Sequence, residues 1–578
     1  VGTAFDDQGA GDDTMTEEQQ NPARKIHPWE KAYPSTCRWD VEIVTKPIPA
    51  MMDEAVARYG TKTALVYRGN HLSFGEIRQE SVSLAAGLLH AGVKKGDAVA
   101  VYLPNTASYY IVFYALMRIG ARLVSLSPMD APRELSFKLS DTGAHLLITT
   151  DQAAMLANCA AIADASGLER IWVASEKRWG AGTDEVAPLP DDRRFSPIDE
   201  LMASQHPAFW PMPSTDDIAV LQYTGGTTGH PKAAMLTHGN LTAAIDIAVH
   251  WKDVRAEQPG EERVLGVLPL FHSFAMLFLL LRQFREGCCV FLHPRFDVEA
   301  VISQIEEERL TIFAGVPTMW IAVAGHPGAE SRDFSSLRFC ISGGAPLPGE
   351  IAQRIERMVG CKLLGGWGLT EAAPVGTLIP QSAQVKPGII GIPQPGIELE
   401  VVALDESTRV LGDNETGELR IRGPNVCRGY WNRPEENAAA FVDGYFLTGD
   451  IGYRDEDGLY YLVDRKKSLI ISSGFNIYPT NIENAIYEHP DIAEVMVIGV
   501  PDDYRGQTVK AFVTMKPGTK PMTLNALRTF LSERVGRYEL PTGLELRSEL
   551  PRSAAGKLLR RVLEDEERGG AAAAIRGA

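Results

Sequence analysis

Residues 223–232 read Tyr-Thr-Gly-Gly-Thr-Thr-Gly-His-Pro-Lys, and the reading of the whole chain turns on this stretch. Its glycines let backbone N–H groups turn toward one point. Its threonines add hydroxyls, and Lys232 adds a mobile positive charge. A concave array of this kind suits a polyphosphate. The order differs from the common phosphate loop, which needs Gly-Lys-Ser/Thr, because Pro231 precedes Lys232 here. In isolation such a stretch could equally be a surface loop. Its flanks argue for more: the apolar run Ile218-Ala219-Val220-Leu221 leads in, and a helix-like pattern over 241–249 follows.

The chain around it has 578 residues, which calls for more than one folding unit. With 45% hydrophobic and 23% charged residues it has the composition of a globular protein. Fifty-seven basic against seventy-four acidic residues give a net charge of −17, which argues against nucleic acid as a partner. The seven cysteines are odd in number and scattered, and the adjacent pair Cys288-Cys289 lacks metal-ligand spacing. A reduced, cytoplasmic protein is expected, at most peripheral to a membrane. No basic segment followed by an apolar run opens the chain, so no secretory leader is expected. The most membrane-like stretch, Leu265 to Leu281, is interrupted by Pro269 and His272, closed by Arg282, and too short to span a bilayer. It reads as a buried helix, although an apolar substrate wall would have the same pattern.

Residues 1–25 are acidic and polar and are expected to be disordered. Pro28-Trp29-Glu30-Lys31-Ala32-Tyr33-Pro34 reads as an extended segment with two aromatic anchors. Then helical patterns (81–91, 109–119, 133–140) alternate with short β-rich runs (98–103, 122–126, 145–150). That rhythm predicts α/β units on a largely parallel sheet. It resumes beyond the glycine stretch with strands at 263–268, 289–292, 311–316 and 338–342, the last followed by Gly343-Gly344-Ala345. Small residues at strand ends leave room for a ligand. After about residue 395 the runs 399–404 and 417–423 alternate like a smaller antiparallel module, and the texture shifts again after Asp464-Arg465-Lys466-Lys467. The expected architecture is a large N-terminal α/β domain (26–466) containing that β module, a small mobile α+β C-terminal domain (467–566), and a loose Gly/Ala-rich end (567–578).

Further segments extend the pattern: Leu268-Pro-Leu-Phe-His-Ser, Gly365-Gly-Trp-Gly-Leu-Thr-Glu371, Tyr445-Phe-Leu-Thr-Gly-Asp450, Asp464-Arg465 and Pro551-Arg-Ser-Ala-Ala-Gly-Lys557. In this order, with the glycine stretch, they resemble the adenylate-forming superfamily of acyl-CoA synthetases, peptide-synthetase adenylation domains and luciferases, over roughly residues 28 to 565. Within it, the opening Pro-Trp-x-x-x-Tyr-Pro and the segment 464–479 are most similar to bacterial medium- and long-chain fatty acyl-CoA ligases, with a dicarboxylate-activating branch as a near alternative.

The resemblance implies two half-reactions with ATP, Mg²⁺ and coenzyme A. A carboxylate attacks the α-phosphate to give acyl-adenylate and pyrophosphate, and then the coenzyme A thiol displaces AMP. It also implies roles for residues. Thr224, Gly225, Gly226, Thr227, Thr228, Gly229 and Lys232 would hold the leaving phosphates. Glu371, with Thr224, would hold the metal, and Thr370 beside it would serve catalysis and nucleotide binding. Trp367, between Gly366 and Gly368, would stack on adenine in place of the commoner tyrosine, keeping a flat ring but losing a hydroxyl. Gly343, Gly344 and Ala345 would line the other side of the base. Asp450 would accept from both ribose hydroxyls, reinforced by Arg465. His272 would lie near the reacting carboxylate, and the uncharged turn around it favours a substrate without an amine. Lys557 would reach the carboxylate and phosphate from the small domain, Lys467 would be the hinge, and Ser473-Gly474 would form the pantetheine passage. Ser468 stands where relatives carry aspartate, a departure at the hinge. Transfer of the acyl group to a carrier-protein thiol is the alternative second half-reaction, and a catalytically silent nucleotide-binding relative is a further one.

Overall fold

The computed structural model describes residues 26–180, 182, 185–202, 207–224, 231–251, 259–345, 347, 349–472, 475–502, 505–552 and 558–576. The glycine stretch is rooted in a sheet ordered Phe195–Pro197, Arg170–Ala174, Leu146–Thr150, Ala98–Val101, Arg122–Ser125, Ile218–Thr224, Lys232–Thr237. Neighbours run parallel except the last pair, which is an antiparallel hairpin. Its inner strands are short apolar runs buried on both faces, as parallel sheets require. The helix Ala107–Ile119 is buried along its whole length, the mark of a helix enclosed on all sides. It belongs to one apolar core that also takes in Leu65 and Val264 of a second sheet.

That second sheet runs Leu363–Trp367, Phe339–Ser342, Ile312–Gly315, Arg263–Gly266, Cys289–Leu292, Thr63–Tyr67 in parallel, with Asn70–Ser73 antiparallel at the edge. At Trp367 the hydrogen-bonded path switches direction and continues as an antiparallel module: Thr377–Leu378, Ile389–Pro393, Tyr460–Arg465, Tyr445–Arg454, Gly417–Arg422, Glu398–Val402. The module thus begins earlier than the change of texture near 395, because its first strands are too short to show alternation. Residues 428–431 pair with the hairpin edge through Met235 N–H to Gly429 C=O and Trp431 N–H to Ala233 C=O, both 2.8 Å. This covers an otherwise open strand edge and ties the antiparallel module to the first sheet.

The C-terminal sheet takes in Phe475–Ile477, Ile470–Ser472, Gly506–Met515, Ile492–Asp502 and Gly543–Leu546. It has an apolar core on each face, one around Ile482, Val497 and Leu527, the other around Ile498, Phe512 and Leu563. The helix Arg560–Arg576 runs into the Gly/Ala-rich end, which was expected to be loose. Four consecutive alanines, the best helix formers, offset the two glycines there.

Two other expectations need correction. Leu265–Leu281 is not one helix: the strand Arg263–Gly266 is followed by a turn through His272, and helix starts only at Ser273. Pro269 lacks an N–H and disfavours helix there. The helix then opens into a π-helical stretch over Met276–Arg282 before closing as α-helix at Gln283–Glu286. Wide turns of this type are rare and concentrate at functional sites. The anchored N-terminal segment is not extended, since Pro28–Ala32 forms a 3₁₀ helix started by its proline, and it has a third aromatic: Trp29 stacks on His27 at 4.5 Å and meets Trp39 edge-on at 6.2 Å. Trp39 Nε1 donates to the Ile397 carbonyl at 2.8 Å and Tyr33 Oη to that of Pro393 at 2.6 Å, which straps the segment to the antiparallel module. Among the described residues no helix is long and apolar enough to cross a membrane.

Candidate functional site

The C-terminal ends of the parallel strands of both sheets carry Ser125, Gln222, Thr224, Ser342 and Trp367, which is where open α/β sheets bind ligands. Three of the expected nucleotide residues meet at the switch in sheet direction. Trp367 Nε1 donates to Asp450 Oδ2 at 2.7 Å. Arg465 Nε stands 2.9 Å from Asp450 Oδ1. Asp450 and Arg465 are directly opposite on neighbouring strands, so register alone brings them together. Asp450 is 2% exposed, and its Oδ1 has no well-aligned hydrogen bond despite the nearby guanidinium. A buried, charge-balanced acceptor with a lone pair open is what a ribose diol needs. The sequence comparison of tryptophan with tyrosine missed this: the indole loses a hydroxyl but its N–H anchors the carboxylate.

Around Trp367 the backbone passes too close for side chains. A Cβ on Gly368 would lie 1.8 Å from the Pro374 carbonyl oxygen. Gly344 has φ +85°, and a Cβ on Gly343 would sit 3.0 Å from the Phe274 ring. Gly343 therefore packs the segment after the strand Phe339–Ser342 directly on the apolar helix.

A second group of residues lies at the root of the glycine hairpin. Thr370–Ala372 forms a short 3₁₀ turn after Trp367, and Glu371 Oε1 accepts from Tyr430 Oη at 2.6 Å. Burial pushes the Glu371 carboxyl above its ordinary range, with the Tyr430 hydroxyl and Arg465 opposing. Thr370 Oγ1 is 3.3 Å from Ser273 Oγ, linking this turn to the start of the apolar helix. Lys232 pairs with Glu436, and its ammonium lies 5.2 Å from the centre of the Tyr430 ring. Burial pushes the Lys232 ammonium below its ordinary range, reinforced by Lys467 and Arg433. Thr224 Oγ1 reaches the Lys232 carbonyl at 3.5 Å across the hairpin. Tyr223 Oη donates to Asp141 at 2.9 Å, and Arg433 pairs with the same carboxylate at 2.7 Å. Tyr430, Arg433, Glu436 and Asp141 were not singled out from sequence. The aromatic pair Tyr430-Trp431 in a polar run was the available signal.

The His272 turn forms a third part of the site. His272 is exposed rather than a core histidine, and its Nδ1 accepts from Phe274 N–H at 3.3 Å, capping the helix. Behind it Phe274 and Phe278 stand 6.1 Å apart, and Phe278 stacks on Phe339, also at 6.1 Å. Met276 and Leu277 are buried in the same π-helical stretch.

Near the expected hinge the chain is tied on both sides. Lys466 Nζ pairs with Glu418 at 2.7 Å, and Glu418 also accepts from Gly449 N–H at 3.0 Å. Asp464 accepts from Thr480 N–H at 2.8 Å at the start of the helix Pro479–Tyr487, with Arg560 Nη1 at 3.7 Å. Ala345 lies in the described turn after Gly344. Gly225, Gly226, Thr227, Thr228, Gly229, Ser473, Gly474 and Lys557 lie outside the described residues, as does the segment 1–25.

The fold and these three regions together define a nucleotide-binding α/β enzyme, and comparison with known proteins narrows that class. The AMP-binding enzyme family matches residues 52–431, and the AMP-binding enzyme C-terminal domain matches 481–557. A long-chain-fatty-acid–CoA ligase of Bacillus subtilis is 37% identical over 556 residues, spanning 93% of this chain and 98% of that protein. A feruloyl-CoA synthase of an Amycolatopsis species is 37% identical over 502 residues, spanning 86% and 94%. ATP-bound MatB from Rhodopseudomonas palustris superposes with a TM-score of 0.78 at 26% identity, covering 90% of this chain and 98% of that one. The chain belongs to the AMP-binding enzyme family. Its class is that of the AMP-forming acid–thiol ligases, which take ATP, a carboxylic acid and coenzyme A.

Trp367→Phe tests the indole's part in holding Asp450. It keeps a flat ring but removes the donor, and hydrogen bonds to charged groups are worth about 1.5–3 kcal/mol. The KM for ATP should rise by about tenfold or more while the KM for the acid stays near its original value. Equal ATP affinity in the variant would remove the indole N–H from the account.

Proposed function

We propose that the enzyme activates a straight-chain fatty acid of medium to long length as its acyl-adenylate and passes the acyl group to coenzyme A. The meeting of Trp367, Asp450 and Arg465 beside Glu371 and Lys232 is the observation that carries this reading. In the first half-reaction a carboxylate oxygen bonds to the α-phosphorus and the bond to pyrophosphate breaks. Both reactants are anions, so the rate depends on fixed positive charge and oriented donors around them. Asp450 and Arg465 hold the ribose, Trp367 and the Gly343–Ala345 segment enclose the base, and the hairpin root at Thr224 and Lys232 meets the departing phosphates.

The substrate is MgATP, and the residues fit a Mg²⁺ carried on it. This ion is usually held by one or two carboxylates plus phosphate oxygens, which suits Glu371 with the Thr224 hydroxyl. Burial raises the Glu371 carboxyl, and a divalent charge held beside it would favour the ionised form. His272 and Thr370 face the reacting carboxylate, His272 setting its position.

In the second half-reaction the thiol sulfur attacks the acyl carbon, and the bond to AMP breaks. We assign the exchange of tasks to rotation of a C-terminal domain (467–566) on the larger one (26–466) about Lys467. The tie of Lys466 to Glu418 supports this pivot, since it anchors the chain one residue earlier. Lys557 serves adenylation, and rotation brings Ser473 and Gly474 to line the pantetheine passage. What supports an apolar acid is the uncharged turn Leu270–Ser273, the phenylalanine-lined wall behind it, and the relatives named as fatty acid ligases.

Half-reactions separate these roles. Lys557→Ala should abolish acyl-adenylate formation yet still convert supplied acyl-adenylate to thioester, and Lys467→Pro should do the reverse. Equal loss of both halves in either variant would remove that assignment. A pyrophosphate-release screen tests the acid. Straight-chain acids of about eight carbons or more should turn over best, since each buried methylene adds roughly 0.8 kcal/mol; preference for short dicarboxylates or cinnamic-type acids would overturn the fatty acyl reading.

A further inference from the structure

The turn that presents His272 leaves the second sheet at Gly266 and has no strand or helix partner for most of its backbone groups until Ser273. Buried backbone polar groups must find partners somewhere. Three buried side chains from the neighbourhood of the first sheet supply them. Asn105, 5% exposed, accepts from Leu270 N–H at 2.8 Å and donates to the Leu268 and His293 carbonyls at 3.0 and 3.1 Å. Ser125 Oγ, on a residue 4% exposed, donates to the Phe271 carbonyl at 2.7 Å. Gln222 Nε2, on a residue 6% exposed, donates to that same carbonyl at 3.1 Å.

The arrangement is built into the register. Ser125 and Gln222 are direct partners on adjacent parallel strands, so their side chains leave one face of the sheet side by side. Both converge on the carbonyl immediately before His272. The turn is also closed locally, His272 N–H donating to the Pro269 carbonyl and Met276 N–H to that of His272, each at 2.9 Å.

Stability alone is a poor explanation for Gln222. Its Oε1 is buried without a protein partner, and an unsatisfied buried acceptor costs about 1–3 kcal/mol. Ser125 already satisfies the Phe271 carbonyl, so an apolar residue at 222 would fill the space without that penalty. What Gln222 adds is a connection: two residues later its strand ends at Thr224, the root of the phosphate hairpin. One strand thus fixes the hairpin root and the His272 turn relative to each other. In-line attack of a carboxylate on an α-phosphate depends on that relative placement.

We propose that Asn105, Ser125 and above all Gln222 are positioning residues for adenylation, holding the His272 turn in register with the phosphate hairpin. This rests on the role given to His272 under the proposed function, and the test separates the two. Gln222→Leu, Ser125→Ala, His272→Ala and the double variant Gln222→Leu/His272→Ala are compared in acid-dependent pyrophosphate–ATP exchange, with thermal unfolding as a control. Gln222→Leu should lower kcat/KM for the acid by about ten- to a hundredfold, the scale of a displaced reactant. It should leave the KM for ATP within twofold and the melting temperature unchanged or higher, and the double variant should be no worse than His272→Ala. Ser125→Ala, a smaller change, should show the same selectivity in weaker form. An unchanged acid kcat/KM in Gln222→Leu, losses that multiply in the double variant, or a parallel fall in ATP binding and stability would overturn the proposal. A silent His272→Ala would instead remove the role of His272, and the clamp's purpose with it.

Discussion

A buried carboxylate at a seam between two sheet architectures is the constraint on which the site depends. Asp450 has left water almost completely, and a charge in that position is tolerated only with partners in good geometry. Its partners come from two directions: Trp367 closes the last parallel strand, and Arg465 faces it across the antiparallel module. Neither sheet could build this site alone. The switch from parallel to antiparallel pairing at Trp367 is therefore the feature that brings these three side chains together, and Gly366 and Gly368 beside it lie so close to the Thr377 and Pro374 carbonyls that a side chain would clash.

The remaining parts attach to that seam by short links. The 3₁₀ turn after Trp367 carries Glu371 to Tyr430, and Tyr430 lies under Lys232 at the hairpin. Residues 428–431 cover the hairpin edge, so the same segment that protects a strand edge delivers the tyrosine. Thr370 touches Ser273, which starts the apolar helix behind His272. The three groups of residues are thus joined by short, partly buried contacts that run from Trp367 past Tyr430 to the hairpin and past Thr370 to the His272 turn.

Much of this was legible in the residues themselves. Glycine-rich strand ends, alternating α/β texture and ordered motifs led to the fold and to the residues that meet at the seam, Trp367, Asp450 and Arg465, because local composition encodes turns and strand ends directly. The losses have physical reasons. Lys232–Thr237 holds two alanines and no clean alternation, so its strand was invisible until it paired with Ile218–Thr224. The π-helical stretch is apolar at every position before Arg282 and carries no periodic signal. Tyr430, Glu436 and Gln222 matter through contacts with residues distant in the chain, and no local pattern announces such contacts. Trp367 was found for its ring, while its hydrogen bond to Asp450 needed the fold.

The central claim is that chemistry passes through an acyl-adenylate formed between these sheets. Isotope transfer tests it most directly. With a carboxylic acid labelled by ¹⁸O in both oxygens, ATP and coenzyme A, attack on the α-phosphorus carries one carboxylate oxygen into the nucleotide. The account predicts AMP bearing one ¹⁸O and unlabelled pyrophosphate. Label in inorganic phosphate, with ADP as the nucleotide product, would contradict it.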